Sequence, residues 1–163
     1  MCYNIQMNEN PKEENTYKNK IHIVFLHSYF WFFVFFLVGV FLNILYPIKI
    51  FHSQVFSPLG FFVIILASLL VLWAQRSSRR LDKKNITKET FCNGPYKYTR
   101  HPTQTGLFLL LLGFGIMTNS LYMIIVTVLY YFFAREKFLK EEDKILEAKY
   151  GEPFREYKKT IKF

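Results

Sequence analysis

Gly106-Leu107-Phe108-Leu109-Leu110-Leu111-Leu112-Gly113-Phe114-Gly115-Ile116-Met117-Thr118-Asn119-Ser120-Leu121-Tyr122-Met123-Ile124-Ile125-Val126-Thr127-Val128-Leu129-Tyr130-Tyr131-Phe132-Phe133 runs for twenty-eight residues without a Lys, Arg, Asp or Glu. One membrane helix takes about 20 apolar residues, so the run is too long for one ordinary span and too short for two full ones. Thr118-Asn119-Ser120, near its middle, has the composition of a turn. The flanking charges decide between the readings. Segment Arg76–Arg100 carries eight Lys or Arg against Asp82 and Glu89, and the tail from Arg135 carries nine. A single helix would put these basic segments on opposite faces of a bilayer, which the gathering of Lys and Arg on the cytoplasmic side opposes. A hairpin of two short helices, about 103–117 and 121–134, keeps them together.

Upstream, Ile21–Tyr46 has no charged residue and is long enough to cross about 30 Å of hydrocarbon with some tilt. Pro47 closes it. Ser57-Pro58 has the residue types of a helix start and opens a second span, about 58–75. Residues 1–20 are polar and of mixed charge, and read as a flexible tail, with at most a short interfacial helix, before a membrane domain at 21–163. The expectation is an all-α integral membrane protein with four transmembrane helices and cytoplasmic amphipathic helices at its C-terminus. Both termini and Arg76–Arg100 then lie on the cytoplasmic side. The membrane is the plasma membrane in a bacterium and the endoplasmic reticulum in a eukaryote.

Composition agrees: 52% of the chain is hydrophobic and 20% aromatic, in uninterrupted blocks. The net charge of +9 sits beside those blocks, so the partner it implies is the anionic face of a lipid bilayer rather than nucleic acid. Cys2 and Cys92 have no second Cys or His at metal-ligand spacing, which predicts free thiols and no metal site.

The tail beyond Arg135 has a helical pattern. At about 100° per residue, with Phe138 at zero, Leu139, Ile145 and Leu146 fall near 100°, 340° and 80°, forming an apolar stripe. Glu142 falls near 40°, inside the stripe, and Arg135 near 60°, while Glu141 and Asp143 lie on the flanks. A carboxylate centred on a buried face needs a partner. Two readings stay open: an Arg135–Glu142 pair that docks the helix, or a Glu142 that points into a site and binds a polar ligand.

Between the second span and the hairpin stands Gly94-Pro95-Tyr96-Lys97-Tyr98-Thr99-Arg100-His101-Pro102-Thr103-Gln104-Thr105-Gly106. It places a turn, two interfacial tyrosines, an Arg-His pair and a helix start at the mouth of an apolar helix. Ionisable groups there are expensive, and two readings stay open: Arg100 and His101 as lipid-headgroup anchors, or as part of a site. Free amides at the helix start favour an anion, and Gly106 lets a ligand or another helix approach the backbone.

With Glu142 and Tyr150-Gly151-Glu152-Pro153-Phe154-Arg155-Glu156-Tyr157, this stretch resembles the C-terminal half of the isoprenylcysteine carboxyl methyltransferase family, related to phospholipid and small-thiol membrane methyltransferases. The likeness covers about 91–159. That family has a Gly-Pro-Tyr turn, then Arg-His-Pro-x-Tyr-x-Gly, an apolar hairpin, an acidic pair and a Tyr-bearing tail. The resemblance implies a membrane methyltransferase that uses S-adenosylmethionine on a lipophilic or lipidated acceptor: a carboxylate, an amine or a thiol. It further implies cofactor contacts from Tyr98, Arg100, His101, Pro102, Gln104, Gly106, Arg135 and Glu142. Arg100 and His101 would be the catalytic residues, His101 serving as base where an acceptor must lose a proton. Three departures stand out. Gln104 occupies the family Tyr position, Glu142-Asp143 rather than Glu141-Glu142 aligns with the acidic pair, and Arg135 lies a turn before the family Arg, with Lys137 nearer. The contrasting expectation is a non-catalytic membrane partner protein on the same scaffold.

Overall fold

The computed structural model describes residues 11–50, 56–78 and 94–161. Cys2, Cys92, tail residues 1–10 and residues 79–93 of the basic segment lie outside the described residues. The chain is all-α there: α1 (Pro11–Leu45), α2 (Ser57–Ser78), a 3-10 turn (Gly94–Lys97), α3 (Pro102–Met117), α4 (Leu121–Ala134), a π-helical turn (Arg135–Leu139), α5 (Lys140–Tyr150) and α6 (Glu152–Thr160). The one β feature described is an isolated antiparallel bridge between Lys49 and Ser120.

The hairpin forms where its turn chemistry predicts. Asn119 takes a left-handed conformation, φ 50°, which Asn tolerates better than most residues. Its N–H bonds to the Ile116 carbonyl at 3.1 Å and that of Ser120 to Gly115 at 3.0 Å, a Schellman ending for α3. Ser120 then starts α4, its hydroxyl accepting the Met123 N–H at 3.3 Å. The α1–α2 connection lies against this turn, with Leu121 N–H bonded to the Ile48 carbonyl at 3.1 Å and Ile50 N–H to Asn119 Oδ1 at 3.1 Å. The end of α1, the starts of α2 and α4, and the end of α3 therefore share one end of the bundle. The basic end of α2, the Arg-His corner and the C-terminal helices share the other.

The first helix differs from expectation. Residues 11–20 are helix, continuous with the apolar run in α1, rather than loose tail. The stretches Asn19–Leu45 and Ser57–Ser77 are long and apolar enough to cross a membrane, with 17% of each apolar window buried inside the protein. Their outward faces carry large apolar side chains, among them Leu26, Phe41, Phe61 and Leu69. A helix apolar on its outward faces requires an apolar surrounding.

Packing centres on α3. Val24, Leu107, Leu111, Met123, Tyr130, Ala134 and Phe138 form the core between α1, α3, α4 and the π turn. Against α2, α3 closes through small residues. A Cβ on Gly60 would lie 2.3 Å from Met117 N and 2.7 Å from the Gly113 carbonyl oxygen, so the two backbones touch. Such seams substitute close van der Waals contact for the hydrophobic drive that lipid removes. The Ser57 hydroxyl, donating 3.0 Å to the Met117 carbonyl, closes the seam at its end. Gly60→Val must push these backbones apart, and should lower stability in detergent by about 1–3 kcal/mol. Leu69→Ala, on an exposed face, should leave the thermal midpoint nearly unchanged; equal midpoints for both variants would refute the seam.

Candidate active site

The Gly94–Lys97 turn leads into an Arg-His corner at the start of α3. His101 precedes the helix, with Pro102 at its first position. Two threonines hold the corner. Thr99 Oγ1 accepts the His101 N–H at 3.4 Å, and Thr105 donates from its hydroxyl to the His101 carbonyl at 3.1 Å. The π-helical turn joins α4 to α5 without a break in the helical chain, and α5 brings Glu142 and Asp143 to the corner.

Both nitrogens of the buried His101 ring face carboxylates. Nδ1 lies 3.0 Å from Glu142 Oε2, and Nε2 lies 3.1 Å from Asp143 Oδ1, at ion-pair distance though outside good hydrogen-bond geometry. Burial by itself would strip the proton from this ring. The contacts with Asp143 and Glu142 outweigh it and push the pKa up to about 9. His101 is therefore a cation at neutral pH. Asp143 binds two more cations: Arg100 Nη1 donates to Oδ2 at 3.0 Å, and Lys158 Nζ of α6 lies 3.3 Å from the same oxygen. Burial favours the neutral acid, but His101, Arg100 and Lys158 prevail and hold the Asp143 carboxyl below its usual range. Glu142 has only His101 for a partner among the described residues, through one of its two oxygens.

The residues named from sequence divide. Arg100, His101, Pro102 and Glu142 meet at the corner, and Glu142 faces inward as its helical position implies, 6% exposed. Gln104 is buried nearby but committed elsewhere. Its Nε2 donates to Ser28 Oγ at 2.6 Å, and its Oε1 accepts from the Tyr130 hydroxyl at 3.1 Å, tying α1 and α4 to α3. Gly106 faces Val71 and Ala67 of α2, so here its missing side chain admits a helix. Tyr98 points outward, 73% exposed. Arg135 is exposed, and the Arg135–Glu142 pair does not form. The π turn explains this: its wider loops shift the register by about one residue, or ~100°, so a wheel counted through it misplaces Arg135. Asp143 and Lys158 were missed. Asp143 sat on the flank of the stripe, and Lys158 reaches the corner only because α6 folds back. A base role for His101 conflicts with a ring whose two nitrogens are occupied and which holds its proton to about pH 9.

A sequence model of the family described as phospholipid methyltransferase matches residues 55–153, more than half of the chain. The chain belongs to the phospholipid methyltransferase family. This family is related to the isoprenylcysteine carboxyl methyltransferases that the Arg-His-Pro stretch resembles. No curated protein and no solved structure matches the chain. The phospholipid methyltransferase match takes in α2, the hairpin, α5 and the corner, and ends at Pro153, where α6 begins; α1 and most of α6 lie outside it. The chain is thus a member of a methyltransferase family with membrane-length apolar helices.

The histidine clamp carries a pH signature. Its pKa rises from 6.5 to about 9 on folding, so its contribution to stability is complete below about pH 6.5 and is lost as pH climbs through 9. The thermal midpoint of the wild type should exceed that of His101→Gln most at pH 6, and the gap should close by pH 9.5. A gap that widens with pH would mean the ring is buried neutral.

Proposed function

We propose that this chain is an S-adenosylmethionine-dependent membrane methyltransferase, isoprenylcysteine carboxyl methyltransferase-like, acting on a lipophilic or membrane-delivered acceptor. The observation that carries the proposal is Glu142: nearly buried, inward, bonded to the Arg-His corner through one oxygen, and with its second oxygen unpartnered among the described residues. The donor set fits the cofactor. Glu142 can accept from ribose hydroxyls or an ammonium group, and the Arg100 guanidinium beside it suits a carboxylate. Amides in the first turn of α3 add to that preference.

S-adenosylmethionine supplies a methyl group already activated on a sulfonium, so alignment and exclusion of water are the main demands on the protein. Glu142 and the corner would hold and orient. His101 keeps its proton on a ring with a carboxylate at each nitrogen, and Asp143 is held ionised by three cations. The corner thus offers no imidazole poised near pH 7 to take a proton. A carboxylate acceptor brings no proton to lose, so it is the acceptor this corner serves unaided. An amine or thiol would have to arrive already deprotonated.

The same reading gives the chain four membrane spans, with α3 and α4 as the last two and the corner at the cytoplasmic end. At 16 and 14 residues these helices are about 24 and 21 Å long, short enough to require local bilayer thinning. The basic residues at the corner end of α2 and in the C-terminal helices support that orientation. A reporter fused after Phe163 should appear on the same side as one inserted in residues 79–93, and opposite one in the Pro47–Ser57 connection. Detection beside that connection would refute the topology.

Purified protein should bind S-adenosylmethionine by calorimetry. Glu142→Ala should weaken that binding by more than about tenfold, ~1.4 kcal/mol, and Glu142→Gln, which keeps the shape, should weaken it as well. Wild-type protein that binds no S-adenosylmethionine would favour a non-catalytic membrane partner on this scaffold.

A further inference from the structure

Helix α6 lies almost wholly outside the family match, yet it closes a ring of contacts around the corner. Tyr157, 1% exposed, donates from its hydroxyl to the Tyr96 backbone carbonyl at 2.6 Å. Tyr96 belongs to the turn that runs into Arg100 and His101. Phe154 and Tyr157 join Tyr96 and Tyr150 in a small aromatic cluster, separate from the main core. One residue on, Lys158 reaches Asp143, the carboxylate that faces His101. Thus α6 touches both the loop that presents the cations and the helix that presents the carboxylates.

The attachment of α6 has a joint and a catch. Gly151 takes φ 60°, ψ −132°, a conformation that favours glycine, and a Cβ there would meet nothing within 4 Å. Its glycine therefore serves the backbone, not close packing. The ion pairs across this joint, Arg155 Nε–Glu147 at 2.7 Å and Lys158 Nζ–Glu147 at 3.7 Å, are largely exposed and hold weakly. What keeps α6 in place is the buried face of Phe154 and Tyr157, the hydroxyl bond to Tyr96 and the Lys158–Asp143 pair. A nine-residue helix held by so small an interface opens more readily than the bundle.

We propose that α6 is a hinged flap over the methyl-donor site, turning at Gly151, and that Tyr157 is the positioning residue that latches it to the Gly94–Lys97 turn. The flap rests on the reading of the corner as an S-adenosylmethionine site. Docked, it holds the turn and the carboxylate pair at their spacing; undocked, it frees the corner for exchange of donor and product.

Hydrogen–deuterium exchange of the intact protein in detergent tests the latch. Saturating S-adenosylmethionine should slow exchange in peptides covering 152–160 of the wild type. Tyr157→Phe, which keeps the ring and removes the hydroxyl, should speed exchange there about fivefold, the effect of one lost buried hydrogen bond. Peptides from 102–134 should be unaffected, which separates flap opening from general unfolding. The same variant should speed dissociation of S-adenosylmethionine about fivefold, because release waits on undocking, and leave kcat at saturation within about twofold. A wild-type dissociation rate in Tyr157→Phe, or a wild-type α6 that the cofactor does not protect, overturns the flap while the donor site stands. A wild type that binds no S-adenosylmethionine overturns both.

Discussion

A histidine sunk into protein normally gives up its proton, because burial penalises the charged ring. His101 keeps its proton because two consecutive carboxylates of α5 meet its two nitrogens. Successive helical residues point about 100° apart, so Glu142 and Asp143 can grip one ring only when it enters between them. That requirement sets where α5 lies relative to the start of α3. It also makes the corner a unit: removing one partner from a buried ionic group leaves an uncompensated charge, at a cost of about 3–5 kcal/mol. Arg100 and Lys158 complete the balance by holding Asp143 ionised.

The rest of the molecule brings α3 and α5 into that grip. Close backbone contact at Gly60 and Gly113 sets α3 against α2, and the Ser28–Gln104–Tyr130 bonds set it against α1 and α4. Polar bonds between helices are worth roughly 0.6 to 2 kcal/mol each in a membrane setting, modest but directional. Gln104 lies one turn beyond His101, so these bonds fix the floor of the corner. The aromatic cluster around Tyr157 fixes its outer side. The cofactor chemistry proposed here needs that rigidity, since a sulfonium methyl reacts only when donor and acceptor are held in line.

Much of the site was legible because its signals are local. Arg-His-Pro at a helix start and a lone carboxylate on an apolar stripe can be read from spacing, and both lie at the corner. Arg135 was misread because a π-helical turn breaks the count of residues per turn, and nothing in Arg135–Leu139 announces it. Gln104 looked like a ligand contact through its position in the motif, but its amide is consumed by Ser28 and Tyr130, which are 76 and 26 residues away.

The sequence by itself determined the helices, the hairpin and which end of the bundle carries the charge. Those features follow from the length of apolar runs, the chemistry of Thr118-Asn119-Ser120 and the distribution of Lys and Arg along the chain. Tertiary structure alone decided which charge meets which: His101 with two acids rather than one, Lys158 with Asp143, and Arg135 with neither. Ion pairing depends on rotation through the π turn and on the fold-back at Gly151, and both set distances in space that separation along the chain does not encode.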